Sequence, residues 1–253
     1  WLIHNHKRLA GNMDLLHKNI LITGAARRIG RALALSLARE GANIIIHHSQ
    51  SPSEAEALSE EITNFGRQSW IVQADFNDLN ETEKLLPKIF SFVSVDVLIN
   101  NAAIFEDLDL HHTLLKDWQR HLNINLTAPF ILGKAFASNL PEGKDGKIIN
   151  ILDWRAFRPG ADHFPYTISK AGLLGLTRSM AVSLAPRIAV NGVALGAILP
   201  PNDREDINGL IKNVPAGRWG TIEEVCTVIQ FLVKSSDYVT GEIIHVDGGR
   251  HLI

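Results

Sequence analysis

The 253-residue sequence contains one cysteine, Cys226, which excludes an internal disulfide and fits a reducing, cytoplasmic compartment. Long hydrophobic runs are missing: none approaches the roughly 18 apolar residues that a membrane-spanning helix requires. Neither sign of charge is in excess, since 25 Lys and Arg against 27 Asp and Glu leave a net charge of −2. That balance carries no electrostatic footprint for nucleic acid or an anionic membrane. His111, His112, His163 and His245 lack the accompanying ligands of a metal site, so no metal is expected. Internal repeats, low-complexity linkers and breaks in composition are also missing, so the chain reads as one domain. The opening WLIHNHKRLAGN lacks the apolar centre of a signal peptide and precedes Met13, a plausible start. Residues 1–17 read as a poorly ordered N-terminal extension, of which 1–12 suit a tag or upstream read-through, and residues 18–253 as the domain.

What is present is an alternation. Apolar runs at Asn19–Thr23, Asn43–His47, Trp70–Gln73, Val95–Asn100, Lys147–Leu152, Ile188–Ala194 and Glu242–Val246 are near-continuous, as in strands buried on both faces. Between them, helical periodicity marks Ile29–Arg39, Ser53–Asn64, Glu81–Phe92, Lys116–Ser138, Tyr166–Ala185 and Thr221–Val233. The alternation predicts an α/β fold: a single doubly wound (Rossmann) domain with a seven-stranded parallel sheet covered by helices on both faces. Gly41 closes the first helix, Ser53 with Glu56 suggests a capping box, and Pro186 ends the helix after Tyr166. Residues 196–220, rich in Pro and Gly, read as a substrate lid with an apolar stripe of Ile207, Leu210, Ile211 and Val214.

TGAARRIG, Thr23 to Gly30, lies between the first strand and the first helix. Gly24 permits a tight turn, Gly30 permits close backbone approach, and the helix N-terminus offers free N–H groups to a pyrophosphate. Arg28 stands where a middle glycine is expected. After the second strand, HHSQS offers Ser49 and Ser51 but no acid before Glu54, whereas a free ribose 2′-hydroxyl is normally held by an acid there. Those hydroxyls, with Arg27 and Arg28 nearby, suit a 2′-phosphate and favour NADPH over NADH, Arg28 being the preferred ligand.

Tyr166 and Lys170, four apart, share one helix face. An ammonium beside a phenol favours the phenolate and makes Tyr166 a candidate general acid. Asp153 lies just past the end of the fifth strand.

TGxxxxxG, Asp75, NNAA (Asn100 to Ala103), Asn125, YxxxK and VDGG (Asp247 to Gly249) in this order and spacing resemble the short-chain dehydrogenase/reductase family over Lys18 to Leu252. The resemblance implies that Asp75 contacts the adenine side, that Asn101 and Ala102 line the cofactor, and that Asn125 anchors a proton-relay water. It also implies that Lys170 binds the nicotinamide ribose and lowers the Tyr166 pKa. Ile29, His48, Ala103, Gly196 and Ile198 complete the expected cofactor contacts. Two positions depart from the family pattern: Asp153 replaces the usual catalytic serine, and Leu195-Gly196 replaces Pro-Gly. Asp153, the arginine in the glycine turn and the missing acid resemble the pteridine reductase branch, and VDGGRHL is similar to bacterial dihydromonapterin reductases. The branch implies that Phe105 stacks on a pterin, with Arg28, Asp153 and Tyr166 as further substrate contacts; Trp219 reads first as packing of the lid hinge and second as a substrate contact. It implies a homotetramer formed through helices such as Lys116–Ser138 and Tyr166–Ala185, in which Arg250 or His251 could approach a neighbouring site. The expected activity is NADPH-dependent reduction of a dihydropterin, biopterin or dihydrofolate. The alternatives are a carbonyl reductase acting on a 3-oxoacyl thioester or a sugar ketone, and a non-catalytic NADPH-binding regulatory protein.

Overall fold

Apolar runs too short for helices and too continuous for one-sided strands have one stable arrangement, stacking side by side beneath helices on both faces. A computed structural model describes residues 14–199 and 211–253 and shows this arrangement. Strands β1 (Asn19–Ile22), β2 (Asn43–His48), β3 (Ser69–Gln73), β4 (Val97–Asn100), β5 (Gly146–Asp153), β6 (Ile188–Leu195) and β7 (Ile243–Val246) form one sheet. Its order is β3-β2-β1-β4-β5-β6-β7, and every pairing is parallel. Helices α1 (Arg28–Arg39), α2 (Pro52–Asn64), α3 (Leu79–Phe90), α4 (Leu115–Leu122), α5 (Ala128–Asn139), α6 (Phe164–Leu184) and α7 (Ile222–Lys234) cover the two faces. One core layer packs Ile20, Ile22, Leu33, Leu37 and Ile229; the opposite layer packs Leu21, Ile45, Leu98, Leu132 and Phe136. Adjacent residues of β1 thus feed opposite layers, as the period-2 geometry of a strand requires. The strand order reverses between β1 and β4, which opens a crevice at their carboxyl ends.

Several boundaries differ from the sequence reading. Leu15, placed there in the extension, is 1% exposed and belongs to the core. The Ser53–Glu56 capping box is not the start of α2, because Pro52, with its preset φ, opens the helix behind Ser51. A capping box does form at α7, between Thr221 and Glu224. Asp153 is the last residue of β5, paired with Leu195, rather than a loop residue beyond it. Helix α6 starts at Phe164, two residues earlier than predicted, with Pro165 in the first turn where its missing N–H costs nothing. The Lys116–Ser138 segment is continuous but contains a π-helical turn at Asn123–Thr127. Of the lid, residues 200–210, including Ile207 and Leu210, lie outside the described residues, as do residues 1–13 of the extension.

Candidate active site

The turn between β1 and α1 is shaped by close approach. Gly24 has φ +62°, and a Cβ on Gly30 would lie 2.2 Å from the Gly24 carbonyl oxygen and 2.7 Å from Asn101 Nδ2. Asn101 Nδ2 donates to the carbonyls of Thr23 (2.8 Å) and Gly24 (3.2 Å), tying the end of β4 to the turn. Thr23 Oγ1 accepts from the amides of Asn101 and Ala102, both at 2.9 Å. Beneath the turn lies His47, whose Nδ1 accepts from the Gly24 amide (3.1 Å) and whose Nε2 faces the Ala74 carbonyl (3.1 Å). A carbonyl only accepts, so the proton sits on Nε2 and the ring is neutral. Burial lowers its pKa to about 4, and the ring stacks on Phe76 at 4.2 Å. Neither Thr23 nor His47 was singled out in the sequence; a polar residue ending each of two buried strands was the only available signal.

Arg28 adopts φ +51°, the left-handed conformation that the missing glycine would take freely. A non-glycine residue held there carries a backbone cost of order 1 kcal/mol. Arg28 lines the groove between α1 and α7 with Arg31, Ser36, Cys226 and Gln230. Arg27 pairs with Glu54 at 2.5 Å, both half-exposed. Helix α1 has no side-chain cap and no acid in its first turn, whereas Asp78 caps α3 and Thr221 caps α7. Free N–H groups, two arginines and a glycine cradle fit a nucleotide pyrophosphate. Around it, Ile29 is half-buried, and the buried His48 accepts the Ser51 amide at 3.3 Å. The Ser49 carbonyl accepts from Gln73. Asp75 is exposed and accepts the Asn77 amide, while Ala102 and Ala103 run along the mouth of β4. Gly196 donates to the Val246 carbonyl, and Ile198 is buried, so the departure from Pro-Gly leaves this path held by backbone pairing.

At the end of β5 the three residues of interest meet. Tyr166 Oη donates to Asp153 Oδ2 at 3.1 Å, while Asp153 Oδ1 accepts the Arg155 amide at 2.8 Å. Burial raises the Asp153 pKa, partly offset by the Arg155 amide and by the Lys170 charge. The lowered Tyr166 pKa expected from the sequence is not found. Burial first, and then the Asp153 charge and hydrogen bond, hold the phenol well above its usual 10. Lys170 Nζ donates to the Ile151 carbonyl at 2.7 Å and lies 5.7 Å from the Tyr166 ring, and burial lowers its pKa to about 8. The free protein therefore holds Tyr166 as a neutral donor pointed at a carboxylate.

Asn125 sits on the π turn, a local widening of the helix often found at functional positions. Its Oδ1 accepts the Ile104 amide at 2.9 Å, and its Nδ2 donates to the Ile104 carbonyl and to Ser169 Oγ, each at 3.0 Å. Both amide hydrogens are engaged, so a water could bind only at the second lone pair of Oδ1. Phe105 stacks on His163 at 3.9 Å and meets Tyr166 edge-on at 4.7 Å, yet remains 56% exposed. His163, which the sequence marks only as lacking metal-site companions, has a left-handed backbone and a buried ring that backs the Phe105 wall. Trp219 lies beside Arg218, which pairs with Glu224, and among the described residues its indole nitrogen is buried without a partner. Among the described residues no group of His, Cys, Asp or Glu is placed to hold a metal ion, and no helix is long and apolar enough to cross a membrane.

A phosphate cradle at the switch point beside a tyrosine–lysine helix defines a nucleotide-dependent oxidoreductase of the doubly wound class. Short chain dehydrogenases combine these parts, and the chain belongs to that family, whose model matches residues 18–209. It is 36% identical over 235 residues to a 3-oxoacyl-[acyl-carrier-protein] reductase of Synechocystis, covering 90% of this chain and 95% of that protein. The crystal structure of FolM alternative dihydrofolate reductase 1 from Brucella canis, complexed with NADP, is 33% identical with a TM-score of 0.88, covering 95% and 97% of the two chains. A blue fluorescent protein from a metagenomic library, in complex with NADPH, is 34% identical with a TM-score of 0.87, covering 94% and 99%.

Proposed function

We propose that this enzyme uses NADPH to reduce a pterin-type heterocycle such as a dihydropterin, biopterin or dihydrofolate. The observation that carries the reading is the Asp153 carboxylate accepting from Tyr166 Oη where the family has a serine. An ionised carboxylate cannot donate to a developing alkoxide, which a ketone reductase needs, but it can accept the ring N–H donors of a pterin. Solved relatives described as dihydrofolate reductases with NADP, and the arginine pair at the uncapped α1 terminus, support the cofactor and substrate class.

The Gly24–Gly30 turn and the uncapped α1 terminus would hold NADPH, which would supply hydride to the substrate carbon. Tyr166 donates the proton to the adjacent ring nitrogen, its phenol kept protonated by burial until that moment. Asp153 orients the phenol and the ring edge as an acceptor, and a water held against its carboxylate can deliver the proton to a second nitrogen. Lys170 has donors beyond the Ile151 bond for a ribose hydroxyl, and its charge favours the phenolate left after transfer. Asn125 supports proton resupply through the free lone pair of Oδ1. Phe105 offers its open face to the heterocycle, Arg28 serves phosphate and ring edge, and Trp219 borders the substrate from the lid hinge. Phe130 on α5 and Ile168 and Val182 on α6 are exposed, an apolar face that assembly into a homotetramer would cover.

The second reading, reduction of a 3-oxoacyl thioester, is favoured by the identity to the Synechocystis reductase. Asp153→Ser separates the two: the pterin reading expects loss of dihydropterin turnover without gain on acetoacetyl-coenzyme A. A variant with strong thioester activity and unchanged pterin turnover would sink it.

A further inference from the structure

Beyond the catalytic residues, three arginines gather around the turn that follows Asp153. Trp154–Ala156 forms a 3-10 turn, and the C-terminal turn Arg250–Leu252 packs against it. The Arg155 guanidinium carbon lies 5.0 Å from the Trp154 ring centre, and that of Arg250 lies 4.8 Å from it. Arg158 is exposed on the same loop. Asp162 grips Arg155 through two bonds of 2.7 and 2.8 Å and reaches Arg250 only through its charge, leaving one carboxylate among three arginines. Among the described residues, Arg250 Nη1 is buried without a hydrogen-bond partner.

A guanidinium held among like charges with a buried, unanswered N–H is costly unless an anion completes the group. Burial, and then Arg155 and Arg158, lower the pKa of Arg250 against a smaller opposing effect of Asp162, which places its charge close to all three. Arg155 also acts on the charges of Asp153 and Tyr166, so the cluster adjoins the reacting end of the substrate. Nothing in the proton-transfer scheme uses Arg158 or Arg250.

We infer that Arg250 and Arg158, beside Trp154, form a subsite for an anionic group at the far end of the substrate, its aromatic or acyl stem lying along Trp154. Resting on the pterin reading, this selects a heterocycle with a carboxylate tail, as in dihydrofolate, over one with a neutral polyol side chain. A guanidinium–carboxylate contact of this kind is worth about tenfold or more in affinity.

The test is steady-state kinetics with NADPH on the full-length protein, comparing dihydrofolate with 7,8-dihydrobiopterin in the wild type, Arg250→Gln and Arg250→Lys. Wild type is expected to favour dihydrofolate by about tenfold or more in kcat/KM. Arg250→Gln should raise the KM for dihydrofolate by a similar factor with little change in kcat, and Arg250→Lys should recover part of the loss. Equal use of both pterins, or the same loss on both in Arg250→Gln, overturns the subsite. If neither pterin is turned over, the functional reading has failed and the subsite is judged on thioesters. Acetoacetyl-coenzyme A, which carries phosphates, is then compared with acetoacetyl-N-acetylcysteamine, which does not. A KM loss in Arg250→Gln confined to the phosphorylated thioester supports the anion subsite, and no difference overturns it.

Discussion

Replacing Asp153 by Asn keeps the shape of the side chain and removes its charge. The amide oxygen can still accept the Arg155 amide, while Nδ2 now faces Tyr166 Oη. The phenol then changes from donor to a carboxylate into acceptor from an N–H, which favours its ionised form. A hydrogen bond to a charged group is worth about 1.5–3 kcal/mol, so the Tyr166 pKa should fall by about 1 to 2 units. The basic limb of the kcat/KM profile for NADPH-dependent dihydropterin reduction should move down by that amount, with the rate at neutral pH falling about a hundredfold as the second proton source is lost. Stability should move the other way. The folded pKa of Asp153 is raised, so the folded state binds more protons than the unfolded chain between 3.8 and that raised value. Wild-type stability therefore declines as pH rises through this window, and Asp153→Asn escapes the decline. The variant's Tm at neutral pH should therefore exceed that of the wild type. A basic limb that stays in place or moves upward would show that Asp153 does not act on Tyr166, and the proton-transfer scheme would fall.

Gly30→Ala sets a methyl 2.2 Å from the Gly24 carbonyl, so it should cost about 2 kcal/mol or more and weaken NADPH binding. Thermal melts and fluorescence titration check this, and an unchanged Tm would refute the cradle geometry. His47 is neutral when folded, with its pKa lowered from 6.5 to about 4, so its contribution is present above pH 6.5 and lost as pH falls toward 4. Urea melts across that window should show up to about 3 kcal/mol of this loss in the wild type. His47→Gln should be less stable at pH 7 and show a flatter dependence; an equal slope would refute the role given to the ring.

Much of this was open to reading along the chain because it depends on local chemistry. The continuous apolar runs from Ile20 to Val246 mark strands buried on two faces, and the four-residue spacing of Tyr166 and Lys170 places both on one helix face. The boundary errors have a common cause. Pro52 opens α2 and Pro165 sits in the first turn of α6, both with a preset helical φ, and Asp153 stays in β5 because Leu195 of a strand distant in sequence pairs with it.

The sequence by itself determined the order of strands and helices, the glycine turn between β1 and α1, and the chemical types that can meet at the ends of β4, β5 and α6. Periodicity, turn residues and spacing are short-range properties, and each is visible within one segment. Only the tertiary structure decided the electrostatics. The sequence placed an ammonium four residues from a phenol and so implied a lowered pKa. The folded protein buries the phenol, aims it at Asp153 and turns Lys170 toward the Ile151 carbonyl, so the shift runs upward. Desolvation depends on what every other element covers, and no stretch of sequence carries that information alone.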